Sequence, residues 1–443
     1  MAARTRTTTI EHVSLDAQWH PAARAAFRFC FVYFALYALA TQVAGGLVQF
    51  PGFSFPSLGT RWPLRDITLW LATHLFHLTE PLIYSGNSGD TAFHWIQTGW
   101  LLVVAIVVST IWALIDRDRP NYANLAKWSR LFVRFALAAQ MFYFGMAKVI
   151  PTQFSAPSLV TLVQPVGQLS LTDMQWTTIG SSVGYQMFTG WAEVIAGALL
   201  IVPQTAMLGA AIALADMVQV FALNMTYDIG LKLISFHLIA FALVLLAPDL
   251  RRLARMFVLD RPVAESSHAP LFRTARANRR AVIAQIVFGI YLVTMFTRLA
   301  VVWWFAPGGG GSPKSALYGI WDVDRLSVDD DLRPPVLNDY NFRWRRVIFD
   351  APERLVFQRT DDSFDHYGVT LDVGRHSIDL TKGNSKTWKA NFTFNRPKPE
   401  QMILDGEMDG HRIHLELELV PLDTFRLLGS SFRWIRPPDP YGG

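Results

Sequence analysis

The sequence predicts a polytopic α-helical membrane bundle of about seven spans, followed by a C-terminal antiparallel β-barrel or β-sandwich domain. Hydrophobic residues make up 51% of the 443-residue chain and charged residues only 17%, whereas soluble domains usually carry about 25% charged residues. Near residue 306 the long apolar runs give way to short runs in which apolar and polar residues alternate. This change of period indicates a change from helices to strands.

Seven stretches are long and apolar enough to cross a bilayer, which takes roughly 20 residues of helix. They are residues 27–47, 93–115, 130–150, 183–202, 204–225, 231–247 and 281–305. Residues 67–84 come close to this length, but they contain His74, His77 and Glu80 and are interrupted by Pro81. For this segment we predict an interfacial or re-entrant helix.

The distribution of Lys and Arg predicts the orientation in the membrane. These residues concentrate in segments 1–28, 117–130 and 249–280, which seven spans place on one side, whereas the loops of the other side contain only Arg61 and Arg65. Because short basic loops remain in the cytoplasm, we expect a multi-pass inner-membrane protein with a cytoplasmic N-terminus. The C-terminal domain is then extracytoplasmic.

The C-terminal part reads as seven or eight short strands separated by Asp, Asn, Gly and Pro turns. Such a small barrel either holds an apolar ligand or has a filled core, and the pattern leaves both open. The predicted organisation is an N-terminal segment (1–26), a transmembrane bundle (27–305), a linker (306–314) and an all-β domain (315–443).

Several classes of function are disfavoured by composition. The basic residues lie in gaps between apolar runs rather than along one surface, so no nucleic-acid partner is predicted. The single cysteine, Cys30, excludes a disulfide framework and a multi-cysteine metal site, and no metal site is predicted. His411 and His414 would point to opposite faces of a strand. Gly-rich nucleotide loops and hydrolase motifs are absent.

Ionisable residues inside predicted spans are costly, so they are candidates for function. In the third span a 4-3-4-3 spacing places five residues on one helical face, which we expect to face the bundle: Arg134, Ala138, Met141, Gly145 and Lys148. Glu193 and Asp216 fall near the middle of the next two spans. We therefore predict a polar cavity toward the outer side, with Lys148 and Glu193 near its walls.

Eight residues are the candidate site. The predicted catalytic group is Lys148, Glu193, Asp216 and His237, and the predicted cofactor-binding group is Gln186, Tyr227, Asp228 and Lys232. The acids and the histidine could relay protons, and the lysine could stabilise a developing quinol anion. The alternatives are that the lysines extend to the headgroups, that the acids hold helices together in protonated form, and that the histidine is a satisfied core residue.

Three blocks of the sequence resemble the DoxX-like membrane proteins. They are FYFGMAKVIPTQF (142–154), YQMFTGWAEVIAGALLIVP (185–203) and NMTYDIGLKLISFHLIAFALVLLAPD (224–249). The resemblance covers roughly residues 130–250 and includes a Gly-x-x-Lys element, Gly145 and Lys148, and a glutamate before small residues, Glu193. Long members of this family also resemble the chain at Ser88-Gly89-Asp90-Thr91 and at the Tyr-Gly-x-Trp-Asp-Val start of the β-domain.

The resemblance implies a quinone-interacting subunit of a membrane redox complex, because some DoxX-like proteins resemble a subunit of a thiosulfate:quinone oxidoreductase. No covalently bound cofactor is predicted, so electrons would come from a redox partner subunit or a soluble donor. A second interpretation is a non-enzymatic scaffold or lipid-binding protein that presents its β-domain outside. A transporter or a carboxylase-like enzyme is the third, although the carboxylase motifs and a convincing repeat are missing.

Overall fold

The computed structural model describes residues 18–84, 89–262, 270–336, 343–383, 388–429 and 434–435. Most of the predicted N-terminal segment, and Ser88 of the Ser-Gly-Asp-Thr element, lie outside these residues. The chain divides into two units, which are described separately. A helical unit comprises residues 1–150 and 187–300, and a second unit comprises residues 151–186 and 301–443.

Helices form in all seven segments that the sequence marks as spans, and shorter elements connect them. In chain order the elements as far as α5 are α1 (Pro21–Ala40), α2 (Gln42–Gly45), β1 (Gln49–Phe50), β2 (Phe53–Ser54), α3 (Leu64–His74), α4 (Ala92–Ile115) and α5 (Ala123–Val149). The elements from α6 to α12 are α6 (Leu159–Val163), α7 (Leu171–Gly180), α8 (Val183–Ile201), α9 (Ala206–Thr226), α10 (Lys232–Leu246), α11 (Leu250–Phe257) and α12 (Ala275–Phe305).

Five helices within the described residues are long and apolar enough to cross a membrane, which fits a membrane protein. They are α1, α4, α9, the continuous α10–α11 segment Lys232–Phe257, and α12. The predicted count of about seven is not confirmed, since α5 and α8 do not meet these limits. These are the helices that carry Lys148 and Glu193, and buried charges lower the hydropathy of a helix whichever environment surrounds it.

The ambiguous segment 67–84 contains the end of a single short helix. α3 has 11 residues, so at a rise of about 1.5 Å per residue it is roughly half as long as the hydrocarbon core is thick. Its Thr68 hydroxyl receives hydrogen bonds from Gln97 and Trp100 of α4, at 3.3 and 3.0 Å. α3 is therefore too short to span a bilayer and is anchored to α4.

The C-terminal part is a closed eight-stranded antiparallel barrel, which decides between the two predicted forms. Its strands are β3 (Gly319–Val328), β5 (Trp344–Ala351), β6 (Arg354–Arg359), β7 (Phe364–Asp372), β8 (Ser377–Thr381), β9 (Lys389–Lys398), β10 (Gln401–Met408) and β11 (His411–Leu419), and a short β4 (Asp331–Leu332) pairs with β3. Each strand pairs with the next, and β11 pairs with β3 from Ile413↔Val328 to Leu419↔Trp321. This last pairing closes the barrel, so each of the eight strands has a hydrogen-bonded neighbour on both sides.

Alternation along the strands fills the barrel with apolar side chains. In β9, for example, Ala390, Phe392 and Phe394 are buried, and the residues between them are exposed. One continuous cluster of such residues occupies the interior, and it includes Trp321, Phe349, Phe357, Met402 and Leu404. Of the two alternatives for a small barrel, the structure shows the filled core.

The segment between α5 and α8 belongs to the barrel unit, which the sequence-based boundaries did not indicate. α6 packs on the outer face of the barrel, where Leu159 forms an apolar cluster with Ile320, Ile348 and Val356. The Leu159 amide donates to the Asp350 carboxylate at 3.0 Å. The chain therefore builds this unit from two separate stretches.

Candidate functional site

The site begins at a close crossing of α5 and α8. A Cβ atom on Gly145 would lie 2.9 Å from the Gly190 carbonyl oxygen, and one on Gly190 would lie 2.8 Å from the Gly145 carbonyl oxygen. Such contacts are too short for any side chain, so both positions require glycine. Small residues that let helix backbones approach are typical of membrane helix packing. Here they bring the charged side chains on either side of the crossing into contact.

Lys148 and Glu193 form a buried ion pair at this crossing. The Lys148 ammonium donates to both carboxylate oxygens of Glu193, at 2.7 and 2.8 Å, and the two side chains are only 8% and 1% exposed. Arg134, Ala138 and Met141 of the predicted stripe are buried as well as Lys148, but so is every residue of α5 from 133 to 142. The lysine therefore turns into the bundle, and the alternative that it extends to the headgroups is wrong.

Asp216 adds a second carboxyl group to the pair. It projects from α9 and lies within electrostatic range of both Lys148 and Glu193. Its Oδ2 atom is buried and has no hydrogen-bond partner among the described residues. The group thus contains two carboxyl groups for one ammonium, and one buried oxygen is available to a proton or to a donor group.

His237 lies in a second polar cluster, formed with α1. Its Nδ1 atom is 2.6 Å from the Leu233 carbonyl oxygen, which can only accept, so Nδ1 carries the proton. The other nitrogen, Nε2, then accepts from the Tyr33 hydroxyl at 2.7 Å. The ring also stacks on Tyr37 at a centroid distance of 3.6 Å. Both nitrogens are bonded, as in the core-histidine alternative.

A third cluster surrounds the first turn of α10. The Asp90 carboxylate accepts from the backbone amides of Lys232 and Leu233, at 2.6 and 2.9 Å, and so caps the helix from a distant part of the chain. The Lys232 ammonium bonds Asp228 at 2.9 Å, where the aspartate side chain is 86% exposed. Tyr227 is the C-cap of α9 and half-buried. This cluster connects helix ends and faces solvent.

The eight predicted residues therefore separate into groups. Lys148, Glu193 and Asp216 come together, Lys232 and Asp228 form a pair elsewhere, and His237 lies with α1. Gln186 is buried but belongs to the barrel unit.

Three residues that contact the predicted ones have no role predicted from the sequence. Tyr33 and Tyr37 gave no signal, because tyrosine is common in spans and their partner His237 is far along the chain. Asp90 had a signal in the Ser-Gly-Asp-Thr element, but its capping role depends on a helix that begins 142 residues later.

These features define a class of protein: a helical bundle of membrane type with a buried Lys–Glu pair, joined in one chain to a closed eight-stranded β-barrel. No protein-family profile matches the chain, and no solved structure matches it. A stretch of 124 residues is 34% identical to the uncharacterized protein YwoB of Bacillus subtilis (strain 168), covering 28% of this chain and 79% of that protein. The chain belongs to the family of that protein.

Proposed function

We propose that the protein is a quinone-interacting membrane subunit in which Lys148, Glu193 and Asp216 form a proton-exchange site. The observation that carries this proposal is the buried Lys148–Glu193 pair together with the orphan oxygen of Asp216. The resemblance to DoxX-like proteins points to the same chemistry. The relative of this chain is itself uncharacterized, so the family relationship gives no information on activity.

The charge balance of the site favours proton exchange. Two carboxylates and one ammonium leave a net charge of −1, and an unbalanced charge is costly in a buried site. One bound proton makes the group neutral, and its release restores the negative charge. A site of this composition can therefore deliver or take up one proton at a fixed place inside the bundle.

Quinone reduction is a reaction that uses such a site. A quinone that accepts two electrons also takes up two protons at its oxygens, and in this proposal the electrons come from a separate redox subunit or a soluble donor. Lysine has three N–H donors, of which Glu193 accepts two, so Lys148 can offer the third to a quinone oxygen as negative charge develops there. Tyr33 and His237 form a second hydrogen-bonded pair in the bundle.

Mass spectrometry of the molecules that co-purify with the detergent-solubilised protein tests the proposal. We expect quinone at about one molecule per chain in the wild type, and its loss in Glu193→Gln and in the double variant Lys148→Met/Glu193→Leu. The double variant removes both charges of the pair and leaves Asp216, which can bind a proton and so need not carry an unpaired charge. Lys127→Met, at the other end of α5, is the matched control and should retain quinone.

A second candidate function is a scaffold or lipid-binding protein that displays the barrel. The observation that favours it is that the Lys148 ammonium already bonds both carboxylate oxygens of Glu193. Such a bidentate ion pair also holds two helices together. In that case only phospholipid would co-purify, unchanged in all three variants, and the quinone proposal would be rejected.

A further inference from the structure

Three elements of the helical unit meet at one end of the bundle. Arg130 near the start of α5 donates to the Leu245 carbonyl oxygen at 3.1 Å and to the Asp249 carboxylate at 3.3 Å, which places it at the junction of α10 and α11. Trp128 meets Phe272, just before α12, edge to face at 5.8 Å. Residues 123–130, 245–259 and 270–280 therefore form one surface, which we call the basic end.

The basic end carries positive charge that its own acids do not balance. Its basic residues are Lys127, Arg130, Arg251, Arg252, Arg255, Arg273, Arg276, Arg279 and Arg280, and its one acidic residue is Asp249. Asp249 is already paired with Arg130 and Arg252. The remaining arginines are exposed to solvent. The surface thus has a strong excess of unneutralised guanidinium groups.

Exposed apolar side chains lie among these arginines. Phe257 at the end of α11 is 75% exposed and Val258 is 78% exposed, and Met256 and Leu259 are also exposed. α11 has Arg251 and Arg255 on one face, whereas Phe257 lies on the other. A helix with arginines on one face and large apolar residues on the other is typical of helices that lie in a membrane interface.

α11 also lies where a membrane surface would be. It continues directly from α10 through residues 247–249, and α10–α11 together form one of the apolar segments long enough to span. The basic turns therefore follow the apolar part of the same helical segment. A soluble acidic partner would satisfy the arginines but leave Phe257 in water, whereas a bilayer with anionic headgroups satisfies both.

We propose that the basic end binds anionic phospholipid, with Arg251 and Arg255 on headgroup phosphates and Phe257 among the upper acyl chains. This proposal is independent of the quinone site. Guanidinium groups form paired hydrogen bonds with phosphate oxygens. The attraction for an anionic surface amounts to a factor of about five in affinity for each arginine.

Native mass spectrometry of the full-length protein with phosphatidylglycerol and phosphatidylcholine measures the preference. We expect phosphatidylglycerol to bind more tightly than phosphatidylcholine. The variant Arg251→Gln/Arg255→Gln should lower the affinity for phosphatidylglycerol by tenfold or more and leave the affinity for phosphatidylcholine unchanged. The matched control is Arg354→Gln/Arg375→Gln on the barrel, which should not change the affinity for either lipid. Equal binding of the two lipids by the wild type, or an unchanged preference in the α11 variant, would overturn the proposal.

A spin label tests the apolar half of the proposal. Cys30 is the only cysteine, so Phe257→Cys in a Cys30→Ala background accepts a single nitroxide. In vesicles that contain phosphatidylglycerol, we expect oxygen to reach the label more readily than a water-soluble nickel complex does. A label that the nickel complex reaches freely in these vesicles would show that the surface faces water, and would favour a soluble acidic partner instead.

Discussion

The interior of the helical bundle and the interior of the barrel contain different kinds of side chain. The bundle encloses the Lys148–Glu193 pair and a histidine bonded on both nitrogens, whereas the barrel interior is a continuous apolar cluster with its ion pairs on the outside. Burial of apolar surface from water stabilises a soluble domain. Helices in lipid gain little from it, so close packing and polar bonds have to hold them together. The barrel interior is therefore apolar, whereas the bundle interior holds titratable groups.

The largest effect on stability is expected when one partner of the buried ion pair is removed. Lys148→Met leaves Glu193 without its partner, and we expect a loss of roughly 3–5 kcal/mol in the free energy of unfolding. Lys148→Met/Glu193→Leu should recover most of this loss, because it also removes the Glu193 carboxylate that the single variant leaves unpaired. Thermal unfolding in detergent, with Lys127→Met as control, measures both effects. Equal losses in the single and double variants would mean that packing, and not charge, holds the crossing.

The barrel should respond to lost volume instead of lost charge. Leu404 is fully buried, and Leu404→Ala should cost about 2–5 kcal/mol through lost burial and a cavity. Leu332→Ala, at a position that is 59% exposed in the same unit, is the matched control and should cost well under 1 kcal/mol. Resistance of the barrel to proteolysis in the intact protein reports on both variants. Similar resistance in the two would contradict the filled interior.

Close packing at the helix crossing can be tested without changing any charge. Gly145→Ala puts a methyl group within 3 Å of the α8 backbone, and we expect a cost of roughly 1–3 kcal/mol from the displaced helices. Gly99→Ala on α4, where a Cβ meets nothing within 4 Å, should be neutral or slightly stabilising. Thermal unfolding compares the two, and a neutral Gly145→Ala would show that the glycine contact is not needed.

The smallest expected effect lies on the outer face of the barrel. The Asp405 carboxylate, 2.5 Å from His414, raises the pKa of that histidine above its usual value, and Glu416 acts in the same direction. Protonated His414 therefore adds to the free energy of unfolding. This contribution is complete below about pH 6.5, the ordinary histidine pKa, and is lost as the pH rises through the raised pKa of His414. Because the pair is partly exposed, we expect less than about 1 kcal/mol. His414→Gln should reduce the difference in melting temperature between pH 5.5 and 8.5. If this difference is unchanged, other groups cause the pH dependence.

Periodicity explains which of these features could be predicted from the sequence. The inward positions of Lys148 and Glu193 follow from helical spacing, and the strands follow from alternation. The partner of a side chain depends on tertiary packing instead. The Gly145–Gly190 contact, the Tyr33–His237 bond across 204 residues and the docking of α6 on the barrel have no local pattern. The eight candidate residues therefore included the buried group but could not be sorted into separate clusters.

The two-stretch construction of the barrel unit sets an order for its biosynthesis. The ribosome produces Leu159 long before it produces Asp350, its hydrogen-bond partner 191 residues further on. Until strands β3, β5 and β6 exist, the apolar face of α6 has no surface on which to dock. The early stretch therefore stays undocked while helices α8 to α12 are synthesised. The barrel unit can complete its folding only after translation has passed residue 419, when β11 can pair with β3.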